Sequence, residues 1–266
     1  MSGLRRAFIW WLTVVIYLVG GCQKPTAPRL KVVVSTTMIG AIVEAVGGER
    51  VRVTTIAPAG ICPGHFDLQP SAIVAANEAR LLLNHGWEEW FGKLKQALAN
   101  PRLIQKTVQT QGNWMVPPVH KEATREILGL LCELDPANAR FYQTNAKRYL
   151  AQVDSVSVLV KAIFQNRSLP AAEMQAEFLK WLGFRVVATY GRAEDFTSQE
   201  LTRLAQVMVD SAVGLVVDNL QSGPDAGRSL AEAAKATHVT LTNFPDEKGY
   251  IPALKGNAAK LAQAVQ

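Results

Sequence analysis

Residues 134–165, LDPANARFYQTNAKRYLAQVDSVSVLVKAIFQ, decide how the chain is organised. Asp135 ahead of Pro136 is a helix start, a capping acid followed by a proline at the first helical position. From Pro136 to Gln165 no glycine or second proline interrupts the run, and Phe141, Ala146, Tyr149, Val153, Val156 and Val160 recur at helical spacing. About 30 residues at ~1.5 Å each make a rod of roughly 45 Å, long enough to lie against two lobes. The stretch from Lys121 to this start also reads as helix. On the amino-terminal side, Lys31–Thr36 (KVVVST) is a β-branched strand and Met38–Val46 a helix stopped by Gly47-Gly48. Val51–Ile56 is a second strand, followed by the loop Ala57–Gly64 and a helix opened by Pro70-Ser71, with Ser71 as its cap. Leu81–Leu83 is a third strand, then Asn84-His85-Gly86-Trp87 and a helix through Leu98. Beyond Leu169-Pro170 come helices at Glu173–Leu182, Ser198–Ser211, Gly227–Ala236 and Tyr250–Val265, alternating with strands at Arg185–Thr189, Gly214–Val217 and Val239–Leu241. Strand–helix alternation is the pattern of parallel sheets. The expected fold is α/β, two lobes with parallel sheets (31–135 and 166–266) joined by one long interlobe helix (136–165).

The first residues address the chain. Arg5 and Arg6 precede the apolar run Ala7–Leu18, and Val19-Gly20-Gly21 leads into Cys22. A basic start, a short apolar stretch and small residues form an export signal. The run falls short of the ~20 residues of a membrane span, which weighs against an uncleaved anchor. The cysteine after the small residues is the lipobox pattern of bacterial lipoproteins. Residues 1–21 are therefore expected to be a signal peptide, Cys22 the lipidated residue, and 22–30 a proline-containing tether. The body then works on the extracytoplasmic side of a bacterial membrane. The net charge of +6 loses Arg5 and Arg6 with the signal, and the remaining charges are interspersed, which gives no footprint for nucleic acid. Cys62 and Cys132 allow one disulfide or two free thiols; Cys132, beside Ile127-Leu128-Gly129-Leu130-Leu131, reads as a buried thiol.

Four blocks in order carry a resemblance. They are VVVSTTMIGAIVEAVGGERVRVTTIAP, PGHFDLQPSAIVAANEARLLLNHGWEEWFGKL, ELDPANARFYQTNAKRYLAQVDSV and GYIPALKGNAAKLAQAV. Together the chain resembles the bacterial zinc/manganese ABC-transporter solute-binding lipoproteins over nearly all of its mature length. The resemblance implies two lobes on a helical spine and a monomer with a ligand cleft between the lobes. It also implies a transported transition metal, zinc or manganese foremost, and an ABC permease with its ATPase as partners. The family's ligands are mostly His with a closing carboxylate. Against that pattern this chain has Gly64 with His65 one place late, Gly112 in place of the His of His-x-Trp (Gly112-Asn113-Trp114), Ala172 or Glu173 at the third position, and Asn243 at the last.

The loop Cys62-Pro63-Gly64-His65-Phe66-Asp67 offers replacements. Thiolate, imidazole and carboxylate within six residues suit a transition metal, and a loop after a parallel strand is where such sheets place ligands. Packing roles for Cys62 and His65 weigh about equally. Cys62, His65, Asp67 and Glu173 are the candidate metal ligands; His85, Trp114, Asp218 and Asn243 are candidates for the cleft. His120 reads as a cap or surface residue, His238 has no assigned role, and Trp90 reads as packing. The expected activity is capture of a transition-metal ion or metal chelate for an ABC importer, with no catalysis. A tethered scaffold or a binder of an organic ligand against Trp114 is the alternative. A thiol-dependent enzyme using Cys62 and His65 stands behind both, because two groups three residues apart in one loop make an unusual catalytic pair.

Overall fold

The computed structural model describes residues 28–164 and 168–265. The expected signal peptide (1–21), the lipidation site Cys22 and most of the tether lie outside the described residues. The first lobe contains β1 (Leu30–Thr36), α1 (Thr37–Gly47), β2 (Val51–Ala57), α2 (Pro70–Glu78), β3 (Leu81–Asn84), α3 (Phe91–Gln96) and β4 (Ile104–Thr107). Two long helices follow, α4 (Pro117–Leu134) and α5 (Ala139–Lys161). The second lobe contains β5 (Ser168–Ala172), α6 (Ala176–Leu182), β6 (Arg185–Tyr190), α7 (Ser198–Asp210), β7 (Leu215–Asn219), α8 (Arg228–Ala234), β8 (Thr237–Leu241) and α9 (Tyr250–Ala264). Both sheets are parallel and share one order, β2-β1-β3-β4 and β6-β5-β7-β8.

Each sheet is covered on both faces, which is why its central strands are near-continuous apolar runs. Side chains alternate across a strand. Val32, Val34, Leu81 and Leu83 enter the main core, while Val33 and Leu82 meet Ala72, Ala76, Trp90 and Leu94 on the other face. In the second lobe Leu169, Ala171, Leu215 and Val217 enter that same main core. Ala172 and Val216 pack with Leu204, Met208 and Leu230 on the opposite side. The main core is thus continuous through both lobes. Tyr142, Ala146, Tyr149, Val153, Val156 and Val160 of α5 run along it, and α5 packs on α1, α4, α6 and α9.

The long helix differs from expectation at its ends. Pro136–Asn138 is a 3-10 turn leading into α5, which stops at Lys161. Asp135 occupies the cap position, but its carboxylate accepts from Asn138 Nδ2 (2.8 Å) and the Tyr142 hydroxyl (2.6 Å) instead of backbone N–H groups. Ser71 does not cap α2: Gln69 holds that position, with Pro70 at the first helical place. Two strands are additions to the sequence reading. β4 (IQKT) carries a single large apolar residue. β5 contains Pro170 although it lies inside its sheet; a register shift at Leu169/Pro170 accommodates the missing N–H. His120 is neither cap nor surface. It is fully buried in α4, with its ring stacked 3.5 Å from Tyr250 and Nε2 2.8 Å from the Tyr149 hydroxyl. Cys62 and Cys132 are free thiols. Among the described residues no helix is long and apolar enough to cross a membrane.

Candidate functional site

Loops at the carboxyl ends of the strands from both sheets meet around one cavity of about 750 Å3. Cys62–His65 follow β2, His85 and Trp87 follow β3, and Thr110–Trp114 follow β4. From the second lobe come Glu173 after β5, Arg192 after β6, Gln221 after β7, and Asn243 after β8. In each sheet the strand order reverses at the central pair, the place where open parallel sheets leave a crevice. In the first lobe that crevice is spanned by Thr36 Oγ1 and His85 Nε2, 2.9 Å apart.

The Cys62 loop is held from beneath by Trp90, whose Nε1 donates to Pro63 O at 2.7 Å. Cys62 Sγ lies 3.4 Å from His65 Nδ1. Arg192 crosses from the second lobe, its Nη2 donating to Cys62 Sγ (3.2 Å) and to His65 Nδ1 (2.9 Å). To accept that bond, Nδ1 must carry no proton. Glu194 lies 3.6 Å from Arg192 Nη1.

His85 is held by its backbone. Its N–H and that of Gly86 donate to the Glu88 carboxylate at 2.9 and 2.8 Å. Gly86 has φ +92°, and a Cβ there would lie 2.8 Å from Thr107 Cγ2, so glycine is required on both counts. The His85 ring stacks on Trp87 (centroids 5.1 Å, 18°) and meets Trp114 edge-on at 4.5 Å. Burial pushes the His85 imidazole down to about 4, against the opposing pull of Glu88. Trp114 borders the cavity but is only 6% exposed and donates Nε1 to Thr110 O at 3.1 Å; Trp87, at 50%, presents the open aromatic face.

Asn113 and Asn243 join the lobes. Asn113 Nδ2 donates to Asn243 Oδ1 (3.2 Å), and both side-chain amides donate to Met174 O at 2.8 Å. The Asn113 N–H donates to Glu177 Oε2 at 2.7 Å. The closing ligand position of the family resemblance is therefore occupied by an amide, Asn243, hydrogen-bonded to Asn113, the neighbour of the Gly112 that stands in place of the family's His.

Cys62, His65, Glu173, His85, Trp114 and Asn243 all line the cavity. Asp67 does not: it is exposed outside the lining. Asp218 does not either. It is fully buried, accepting from Tyr190 OH (2.8 Å) and from the Gly227 N–H (2.9 and 3.0 Å), with His238 Nε2 at 2.6 Å. As the fourth residue of β7, Asp218 points away from the crevice, and His238 gains the role of its partner. Among the described residues, no group of three or more His, Cys, Asp or Glu side chains is arranged to hold a metal ion. Sequence reasoning missed Arg192 and Glu177; Trp87, readable with Trp114 as a possible cleft floor, does line the cavity. Arg192 stands two residues past β6, so the rule that singled out the Cys62 loop, applied to every strand end, finds it.

The family described as zinc-uptake complex component A, periplasmic (ZnuA), has a sequence model that matches residues 32–264. Among curated proteins the chain is similar to the manganese ABC transporter substrate-binding lipoprotein PsaA of Streptococcus mitis. That match is 24% identical over 196 residues, covering 62% of each chain. The iron-binding protein YfeA of Yersinia pestis is 22% identical over 258 residues, covering 85% of this chain and 82% of its own. The matched stretch spans only about three fifths of the first such relatives, 62% of PsaA and 57% of the manganese-binding lipoprotein MntA of Halalkalibacterium halodurans. Among solved structures, a crystal structure of ZnuA superposes with a TM-score of 0.77 at 22% identity, covering 90% of this chain and 100% of that one. A manganese-bound periplasmic metal-binding protein from Candidatus Liberibacter asiaticus gives 0.77 at 17% identity with the same coverage. These likenesses carry the fold. The family match carries more, since it runs from β1 to the last turns of α9 through both sheets and the helix between them, and by that breadth the chain belongs to the zinc-uptake component A family of periplasmic proteins.

Proposed function

We propose that the protein is the extracytoplasmic solute-binding component of an ABC importer. It captures transition-metal cargo, as an ion or as a chelate, in the interlobe cleft and hands it to a permease driven by an ATPase. The observation that carries this reading is the cavity itself, lined by carboxyl-end loops of both parallel sheets and bordered by Cys62, His65, His85 and Asn243. The names of the relatives, substrate-binding lipoproteins for manganese and a binding protein for iron, support transported metal as the cargo. They also support a binding role over a catalytic one. The Arg5-Arg6, apolar and Gly-Gly-Cys order supports a lipid anchor at Cys22. One experiment addresses cargo and anchor together: native mass spectrometry with elemental analysis of membrane-extracted protein purified without chelators. The expected result is a chain beginning at acylated Cys22 that carries one equivalent of metal, free or in a small-molecule adduct, which His65→Ala and Cys62→Ala diminish. Absence of metal and adduct under every loading condition overturns the transport reading. An intact Met1 start overturns the anchor.

A further inference from the structure

The cleft already contains a cation of its own. Arg192 Nη2 contacts Cys62 Sγ and His65 Nδ1 at 3.2 and 2.9 Å. A divalent ion held by that thiol and imidazole needs the same lone pairs, at ~2.3 Å from sulfur and ~2.0–2.1 Å from nitrogen. It would have to displace a guanidinium, itself a cation, and the two repel. From the second lobe, Asn243 offers an amide, bonded across the cleft to Asn113, where a carboxylate could have added charge. Size points the same way: about 750 Å3 is a volume suited to a small molecule and far beyond what a lone ion fills.

We propose that the cleft takes a carboxylate-bearing organic ligand, either a free acid or a chelate carrying its own metal, with Arg192 gripping the carboxylate. The inference rests on the reading of the cleft as the solute site. At Nη2 the thiol and the unprotonated imidazole nitrogen are modest acceptors for a guanidinium, and the Glu194 carboxylate stands off Nη1 at 3.6 Å, beyond hydrogen-bond distance. A carboxylate makes stronger, charge-assisted bonds that match the planar fork. Glu177 Oε2, in the same lining, is engaged by the Asn113 N–H. The organic part of the ligand meets the open face of Trp87, which His85 and Trp114 support from behind.

The test titrates detergent-extracted full-length protein with three probes: zinc ion alone, citrate alone, and preformed zinc–citrate. Each is measured calorimetrically on the wild type, Arg192→Ala and Arg192→Lys. Citrate or zinc–citrate is expected to saturate the wild type at one equivalent, and which of the two does so identifies the source of the carboxylate. Arg192→Ala should weaken that binding about ten- to hundred-fold, and Arg192→Lys by less, because lysine keeps the charge but not the fork. The lysine variant carries the comparison if the alanine variant melts below the assay temperature. Zinc ion alone saturating the wild type at one equivalent, with no response to citrate, overturns the inference and leaves the solute-cleft reading standing. Carboxylate binding indifferent to both substitutions removes Arg192 from the site. No binding of any probe overturns the inference and counts against the cleft reading as well.

Discussion

His120 is the clearest single-residue lever on stability. Burial without a countercharge pushes its imidazole down to about 3, whereas the unfolded chain takes up that proton near pH 6.5. Below pH 6.5 the unfolded state therefore binds a proton that the folded state refuses. This contribution is fully present above pH 6.5 and is lost as pH falls toward 3, at up to ~1.4 kcal/mol per pH unit. Urea midpoints measured from pH 7 to pH 5 should fall accordingly, and His120→Phe, which keeps a ring against Tyr250, should remove that part of the slope. An unchanged slope in the variant refutes the assignment. His85, pushed down to about 4, adds a slope of the same sign that remains in the variant. Neither burial was legible from local sequence. His120 sits three residues after a Pro-Pro start, where a surface cap is the ordinary reading, and only contacts with Tyr149 and Tyr250, far along the chain, reverse it. The same limit applies to the cleft. Cys62 and His65 could be paired from their spacing, but the guanidinium that meets them comes from 127 residues further along.

At the scale of elements, one close fit is the turn that feeds α8. The Gly227 N–H donates to both Asp218 oxygens, and a Cβ on Gly227 would lie 2.4 Å from the Tyr190 hydroxyl and 2.7 Å from Val216 Cγ1. Its φ of −87° is open to any residue, so the constraint is space alone. Gly227→Ala should push the Tyr190 hydroxyl off Asp218 and destabilise the protein by about 1–3 kcal/mol, the usual range for overpacking. Chemical denaturation measures this, and an unshifted midpoint would show that the β6–β7 wall yields freely. Most elements were legible because period and punctuation agree, as in the β-branched run of β1 and the Gly47-Gly48 stop after α1. β4 and β5 were not. IQKT has too little apolar pattern to announce a strand, and Pro170 argues against one until the bulge that admits it is seen.

At the scale of the molecule, the decisive property is that the two lobes share one core. Val32 and Leu83 from one sheet, Val217 from the other, and Tyr142 and Val153 of α5 belong to a single buried cluster. Neither lobe can unfold without exposing the other's apolar face. Calorimetry should accordingly show one endotherm with matching calorimetric and van't Hoff enthalpies, the criterion of a single cooperative unit. Two resolved transitions would mean that the lobes are energetically separate and that α5 is merely a connector. The architecture was readable from the long helical run flanked by two alternating stretches, but the continuity of the core was not, since it depends on which faces of α4, α5 and α9 meet. That continuity bears on how the chain comes into being. Tyr250, Leu254, Ala258 and Leu261 of α9 complete the cluster that β1 begins, and the Tyr250 hydroxyl closes onto Met115 O at 3.0 Å. A ribosome delivers these residues only after both sheets. Until they emerge, the earlier helices lack the partner that covers them, and contacts of such long sequence separation form slowly. The nascent chain is thus kept short of its native state until α9 has emerged, which leaves both lobes pliable while they are being made.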